Sequence, residues 1–139
     1  KQVKAHVVTM PQQVQNPVYA VQWTGDDKQL FTSSYDRTIK LWDVNAGTMV
    51  REFKAAPDSV PDPKAPPKPP EVVGHRDQVF SIALSKDGKL LASASSDRTV
   101  KLWDVATAKV VRDFQNPDLK PVLPGKPAPS HPGWVHAVR

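Results

Sequence analysis

Asp36-Arg37-Thr38-Ile39-Lys40-Leu41-Trp42-Asp43-Val44 and Asp97-Arg98-Thr99-Val100-Lys101-Leu102-Trp103-Asp104-Val105 are one segment written twice, 61 positions apart, with a single exchange of β-branched residues at Ile39 and Val100. Near-identity between distant segments of a chain means that one supersecondary unit has been built twice. Outward from this stretch the correspondence covers Val18 to Phe53 against Val79 to Phe114. A third copy opens at the end, where His131, Val135 and Val138 fall in register with His75, Val79 and Ile82.

Each unit reads as four short strands, a to d, separated by turn chemistry. In the second unit Val79 to Leu84 is strand a, Ser85-Lys86-Asp87-Gly88 a tight turn, and Lys89 to Ser93 strand b. The turn Ser95-Ser96-Asp97-Arg98 reverses the chain into strand c, Thr99 to Asp104, and Lys109 to Phe114 forms strand d. In the first unit Gly25-Asp26-Asp27 makes the first turn and Asn45-Ala46-Gly47 the last. Val100 and Leu102 lie on one side of strand c and Trp103 on the other, so both faces of the sheet are apolar and each needs a neighbour.

Gly74-His75, Ser95-x-Asp97 and Trp103-Asp104 occur together in the second unit, and in this combination and spacing the chain resembles the WD-repeat (WD40) family. The resemblance implies an all-β fold made of β-propeller blades, each of four antiparallel strands, forming part of a larger closed propeller. Residues 14–53 and 74–114 are then two blades and 131–139 the start of a third; 1–13 is expected to hold strand d of another blade and its connector. A family repeat is about 40–45 residues long, so the longer shift requires insertions. The Pro-rich segments 54–73 and 115–130 supply them. Proline lacks an N–H and is excluded from sheet ladders, so these segments are expected to be extended loops. Pro63-Lys64-Ala65-Pro66 and Pro67-Lys68-Pro69-Pro70 have PxxP spacing, which adaptor domains read, although a spacer role is the expectation. Bare blade faces predict that the chain is not a stable monomer. Further blades, in a longer chain or by self-association, are expected to cover them.

His75, Ser93, Asp97 and Trp103 occupy positions that form a buried hydrogen-bonded tetrad in the family that this chain resembles. A Ser-His-Asp set also suggests a hydrolase, but Leu91-Ala92-Ser93-Ala94 is plain strand, with no glycine-flanked elbow to present a nucleophile. The structural need is concrete: a buried indole N–H must find an acceptor. In the first blade Thr32, Asp36 and Trp42 hold three of the four positions, while Val14 stands where His75 stands in the second. A blade lacking the imidazole is expected to be looser, by about 1 kcal/mol for one lost buried hydrogen bond. His131 is expected to restore the position in the third blade.

In propellers of this family the loop before strand a and the b–c turn open on one face, the top, where partners commonly dock. The resemblance carries the outward positions over to Pro17, Tyr19 and Tyr35 in the first blade, Gln78, Phe80 and Ser96 in the second, and Trp134 and His136 in the third. Four of these eight are Tyr, Phe or Trp, the kind of side chain that anchors protein interfaces. For Tyr19 and Phe80, packing between adjacent blades competes with this reading.

Composition narrows the remaining classes. The chain has 139 residues, no cysteine and 15 prolines, so disulfides, thiolate metal sites and c-type haem attachment are excluded within it. The histidines show no ligand spacing beyond His131 and His136, and no Gly-rich segment precedes a helix, so no metal or cofactor is expected. A net charge of +5 is scattered along the chain instead of forming a basic stripe, which argues against nucleic acid. No apolar run is long enough to span a membrane. Because the sequence starts at Lys1, a targeting segment upstream is left open, and cytoplasmic and exported or periplasmic locations stay open with it. The expected function is a non-catalytic protein–protein interaction scaffold. The alternative is a sensor or regulatory propeller attached to an enzymatic or electron-transfer module such as a cytochrome c.

Overall fold

A computed structural model describes residues 16–54, 74–116, 118–120 and 129–139. The first thirteen residues, Val14, both PxxP segments and most of the Pro-rich insertions therefore lie outside the described residues. Within them the strands are β1 (Val18–Trp23), β2 (Gln29–Ser34), β3 (Ile39–Asp43), β4 (Thr48–Phe53), β5 (Val79–Leu84), β6 (Leu90–Ser95), β7 (Val100–Asp104) and β8 (Lys109–Phe114). They form two four-stranded antiparallel meanders, β1-β2-β3-β4 and β5-β6-β7-β8. Six of the strands fall where turn chemistry and alternation put them or within one residue; β6 runs on to Ser95, beyond the expected end at Ser93, and β2 likewise runs on to Ser34.

The turns repeat with one exchange in each pair. Gly88 closes the β5–β6 turn at φ +71°, and its counterpart in the first blade is Asp27 at φ 56°, not Gly25. Gly47 ends the β3–β4 turn at φ +67°, whereas Ala108 holds φ 55° in the second blade. Arg37 and Arg98 sit in the b–c turns at φ 71° and 67°. The left-handed region costs an L-residue roughly 1–2 kcal/mol, so these turns are held by their hydrogen bonds and not by local preference.

The core lies between the blades. Phe31, Ile39, Leu41 and Phe53 of blade 1 meet Val79, Ile82, Leu91 and Trp103 of blade 2 in one buried cluster. Phe53 bridges it, 5.8 Å from the Phe31 ring and 6.0 Å from Trp103. The same positions read differently on the outer faces: Val18 and Val21 are 44% and 58% exposed where Val79 and Ile82 are buried, and Phe114 is 42% exposed where Phe53 is buried. Each blade thus covers one face and leaves the other open. At roughly 2 kcal/mol for each large apolar side chain fully buried, the contact between blades stabilises more than either sheet can alone.

The third repeat departs from expectation. Residues 131–139 contain no strand, because a strand needs a ladder partner and no neighbouring strand among the described residues pairs with this segment. It is anchored instead by single hydrogen bonds, Val135 N–H to Ser95 O at 3.1 Å and Ser130 and His131 N–H to Arg98 O at 3.0 and 3.2 Å.

Candidate functional site

Two constellations hold the sequence-predicted residues. The first is internal. In blade 2 the Trp103 indole N–H donates to Ser93 Oγ at 2.7 Å, Ser93 Oγ lies 2.6 Å from His75 Nε2, and His75 Nδ1 lies 2.9 Å from Asp97 Oδ2. One proton arrangement satisfies every group: indole to hydroxyl, hydroxyl to Nε2, and Nδ1–H to carboxylate. The carboxylate also accepts the Arg76 N–H at 2.9 Å and, on its other oxygen, the Thr99 N–H and Oγ1–H at 2.9 and 2.6 Å. Burial works to raise the Asp97 carboxyl, but the His75 ring N–H and these further donors outweigh it and hold it well below the usual carboxylate range.

Blade 1 solves the same problem with a different residue. Trp42 donates to Thr32 Oγ1 at 2.8 Å, and Asp36 accepts from Thr38 N–H and Oγ1–H at 2.9 and 2.6 Å, matching blade 2. Where blade 2 presents the imidazole, Lys40 Nζ reaches Asp36 Oδ2 at 2.8 Å. Its counterpart Lys101 instead pairs with Asp113 at 2.8 Å, since His75 already occupies Asp97. Burial raises the Asp36 carboxyl, and hydrogen bonds from Lys40 and Thr38 bring it below its ordinary value. The sequence carried a partial signal: Lys40 and Trp42 alternate onto one face of β3, and no histidine falls in residues 14–53. His131 joins no such set. Its ring is exposed and lies 2.9 Å from Ser130 Oγ, with no third-blade hydroxyl or carboxylate beside it among the described residues.

The second constellation is external. In both blades strand a carries a β-bulge at the same place: Val18 pairs with Ser34 and Ala20 with Ser33, and Val79 pairs with Ser95 and Ser81 with Ala94. The residues left unpaired are Tyr19 and Phe80. A bulge re-aims a side chain away from the faces of the sheet, and here it brings the two rings together, 5.2 Å apart and edge to face. Tyr19 Oη donates to Gln78 Oε1 at 2.8 Å. Phe80 stacks on His136 at 5.0 Å, and Trp134 lies 6.4 Å from Phe80 and 6.1 Å from His136. Tyr19, Phe80, Trp134 and His136 therefore form one aromatic cluster drawn from all three repeats.

Trp134 is 65% exposed, Tyr35 47% and Tyr19 40%; Pro17 and His136 are exposed too, and Gln78 and Phe80 half-buried. Ser96 is a correction. It is 7% exposed, its N–H bonded to Gln78 O at 3.0 Å, and the final segment lies against the neighbouring Ser95. The bulges, which alone bring Tyr19 and Phe80 into the cluster, leave no mark in composition or alternation. Among the described residues no group of His, Cys, Asp or Glu is arranged to hold a metal ion, and no helix is long and apolar enough to cross a membrane.

Comparison with known proteins adds the wider context. The chain is 31% identical over 97 residues to the U3 snoRNP-associated protein-like YAO of Arabidopsis thaliana, covering 70% of this chain and 19% of that protein. It is 32% identical over 111 residues to the Target of rapamycin complex subunit wat1 of Schizosaccharomyces pombe, covering 63% of this chain and 35% of that one. The chain thus spans about a fifth of the length of the first of these relatives and about a third of the second. Among solved structures it is similar to U3-55K, with a TM-score of 0.58 and 25% identity over 76% of this chain and 28% of that one. The WD domain, G-beta repeat model matches residues 4–43 and 68–104, more than half of the sequence. Its matches take in both Trp-Asp segments, each at the end of a third strand, and so the chain belongs to the WD40 repeat family.

Proposed function

We propose that the chain is a non-catalytic scaffold whose protein partner binds the face onto which the loops before strand a and the b–c turns open. One observation carries this reading: bulges in two blades and the final segment converge to put Tyr19, Phe80, Trp134 and His136 in one exposed aromatic cluster, with Tyr35 exposed on an adjoining turn. Large rings bury much area for little lost entropy, which is why hot spots are built from them. Ser93 supports the non-catalytic part. Its Oγ is fully buried and engaged by both Trp103 and His75, so a substrate has no approach to it. Two relatives carry names of assemblies, U3 snoRNP-associated and Target of rapamycin complex subunit, which suits a scaffold. The open faces at Val18 and Val21 and at Phe114 are covered, in this reading, by further blades of a longer chain.

Site-specific photo-crosslinking in the native cell tests the face. A photoreactive amino acid at Tyr35 or Trp134 is expected to capture protein, and the same group at Ala106, on a turn at the opposite end, is not. Capture at Ala106 alone would reject the proposal.

A further inference from the structure

Charge is distributed unequally between the two ends of the blades. At one end the β1–β2, β3–β4, β5–β6 and β7–β8 turns mix carboxylates with ammonium groups: Asp26, Asp43, Asp87 and Asp104 alternate with Lys28, Lys86, Lys89 and Lys109. At the other end the b–c turns carry Arg37 and Arg98, and the loop before β5 carries Arg76. Of the carboxylates beside these arginines, Asp36 and Asp97 are engaged within their own blades. Asp36 is taken by Lys40 and Thr38, and Asp97 by His75, Thr99 and the Arg76 N–H. Asp77 is exposed, with Oδ1 accepting the Gln78 N–H at 2.8 Å. Among the described residues the three arginines outnumber the one outward carboxylate beside them, Asp77, and guanidinium is a planar donor suited to gripping carboxylates in pairs. Arg37 and Arg76 are exposed; Arg98 is half-buried, its Nη1 3.4 Å from Pro132 O beside the aromatic cluster. Both b–c turns hold their arginine at positive φ, so the backbone directs it alike in the two blades, although the final segment partly covers Arg98.

The aromatic cluster sits among these arginines but does not form a row of free ring faces. Phe80 has one face against His136 and receives Tyr19 edge to face, leaving Trp134 as the most open ring. Successive nucleobases need successive open faces. One open apolar ring framed by guanidinium groups fits a single apolar side chain within an acidic strand of polypeptide.

We infer that the partner of this face is an acidic, extended protein segment, its carboxylates set against Arg37, Arg76 and Arg98 and one apolar side chain set against Trp134 and Tyr19. The inference rests on the interaction-scaffold reading and names the chemistry of its partner. Binding of this kind is screened by salt, because the arginines are at the surface.

Fluorescence anisotropy on the full chain tests it with four labelled probes: a short Asp/Glu peptide containing one leucine, the same peptide with serine for leucine, a Lys-rich peptide with the leucine, and an oligouridine of equal length. The acidic leucine peptide is expected to bind best and to weaken as salt rises. Combined Arg37→Glu and Arg76→Glu is expected to weaken it about a hundredfold and Trp134→Ala about tenfold, with the thermal melt of each variant unchanged. Failure of the acidic peptide to bind, or its indifference to charge reversal, overturns the inference. A Lys-rich peptide that binds equally well and is lost in Trp134→Ala overturns the acidic partner while leaving the face intact as a protein-binding surface. Preference for oligouridine overturns both.

Discussion

Blade 1 and blade 2 share a strand order, a register and a bulge, and they differ in how they hold their b–c turn. Blade 2 threads a buried relay from Trp103 to Asp97 through Ser93 and His75, whereas blade 1 keeps Trp42 on Thr32 and secures Asp36 from the side with Lys40. The lysine that blade 1 diverts to this task is, in blade 2, part of a separate pair with Asp113. Among the described residues no imidazole reaches Asp36, and the carboxylate is still not orphaned. The charge pair moves from strand d to the turn, and Glu52, the counterpart of Asp113, pairs with Lys54 instead. The expectation of a looser first blade thus meets a replacement. What distinguishes the blades is burial: the pair side chains are 4% and 6% exposed for Lys101 and Asp113, against 27% and 24% for Lys40 and Asp36.

That difference can be broken most sharply at the tryptophans. Trp103→Ala, at a site 1% exposed, is expected to destabilise by about 4 kcal/mol, and Trp42→Ala, on the open face, by about half of that. Denaturant melts read the order; equal losses would mean that the blades are equivalent after all. Next come the lysines. Lys101→Met strands a buried carboxylate and is expected to cost about 3 kcal/mol, while Lys40→Met, partly solvated, costs less than about 1 kcal/mol. A larger loss at Lys40 would show its pair to be the main prop of the turn.

Acid sharpens the comparison further. Asp36 and Asp97 both have folded pKa values below their unfolded ones, so each contributes stability that is present above the unfolded value and lost as pH falls through the folded one. Asp97 is lowered further. Its set is expected to survive to lower pH, so in an acid titration the backbone N–H signal of Thr38, which donates to Asp36, moves before that of Thr99, which donates to Asp97. The opposite order would contradict the hydrogen-bond assignment. The smallest effect lies in the last turn, where Ala108→Gly relieves a positive φ that blade 1 assigns to Gly47 and is expected to stabilise by about 0.5 kcal/mol. A destabilisation would mean that the packing of the Ala108 methyl against the core outweighs the strain.

Much of this was legible in residues alone. Asp-Gly at Asp87-Gly88 and alternation in Val79 to Leu84 place a turn and a strand without any tertiary information. The relay in blade 2 came from the family resemblance, which implies it for His75, Ser93, Asp97 and Trp103. His131 shows what a residue alone leaves undecided. An identical residue at an equivalent position acquires its partners only when strands b and c of its own repeat lie beside it. Ser96 was misjudged because nothing local tells that a segment nearly forty residues further on will settle beside its turn.

The sequence by itself determined what depends on neighbours along the chain: strand periodicity, turn residues, the doubling of the unit and thus the family. Tertiary structure alone decided what depends on which surfaces meet. Val18 and Val79 are the same residue in the same register, one open to solvent and the other buried, because blade 2 has a blade before it and blade 1 has none among the described residues. Lys40 and Lys101 are the same lysine with different partners, because the Asp97 oxygen that would meet the lysine already accepts the His75 ring N–H and the Arg76 N–H. Tyr19 and Phe80 leave their sheet through a bulge that only the pairing of strands creates, and from that comes the exposed cluster. Burial, pairing and register are relations between distant segments, and a repeat written twice fixes the groups available to them without fixing which of those groups will meet.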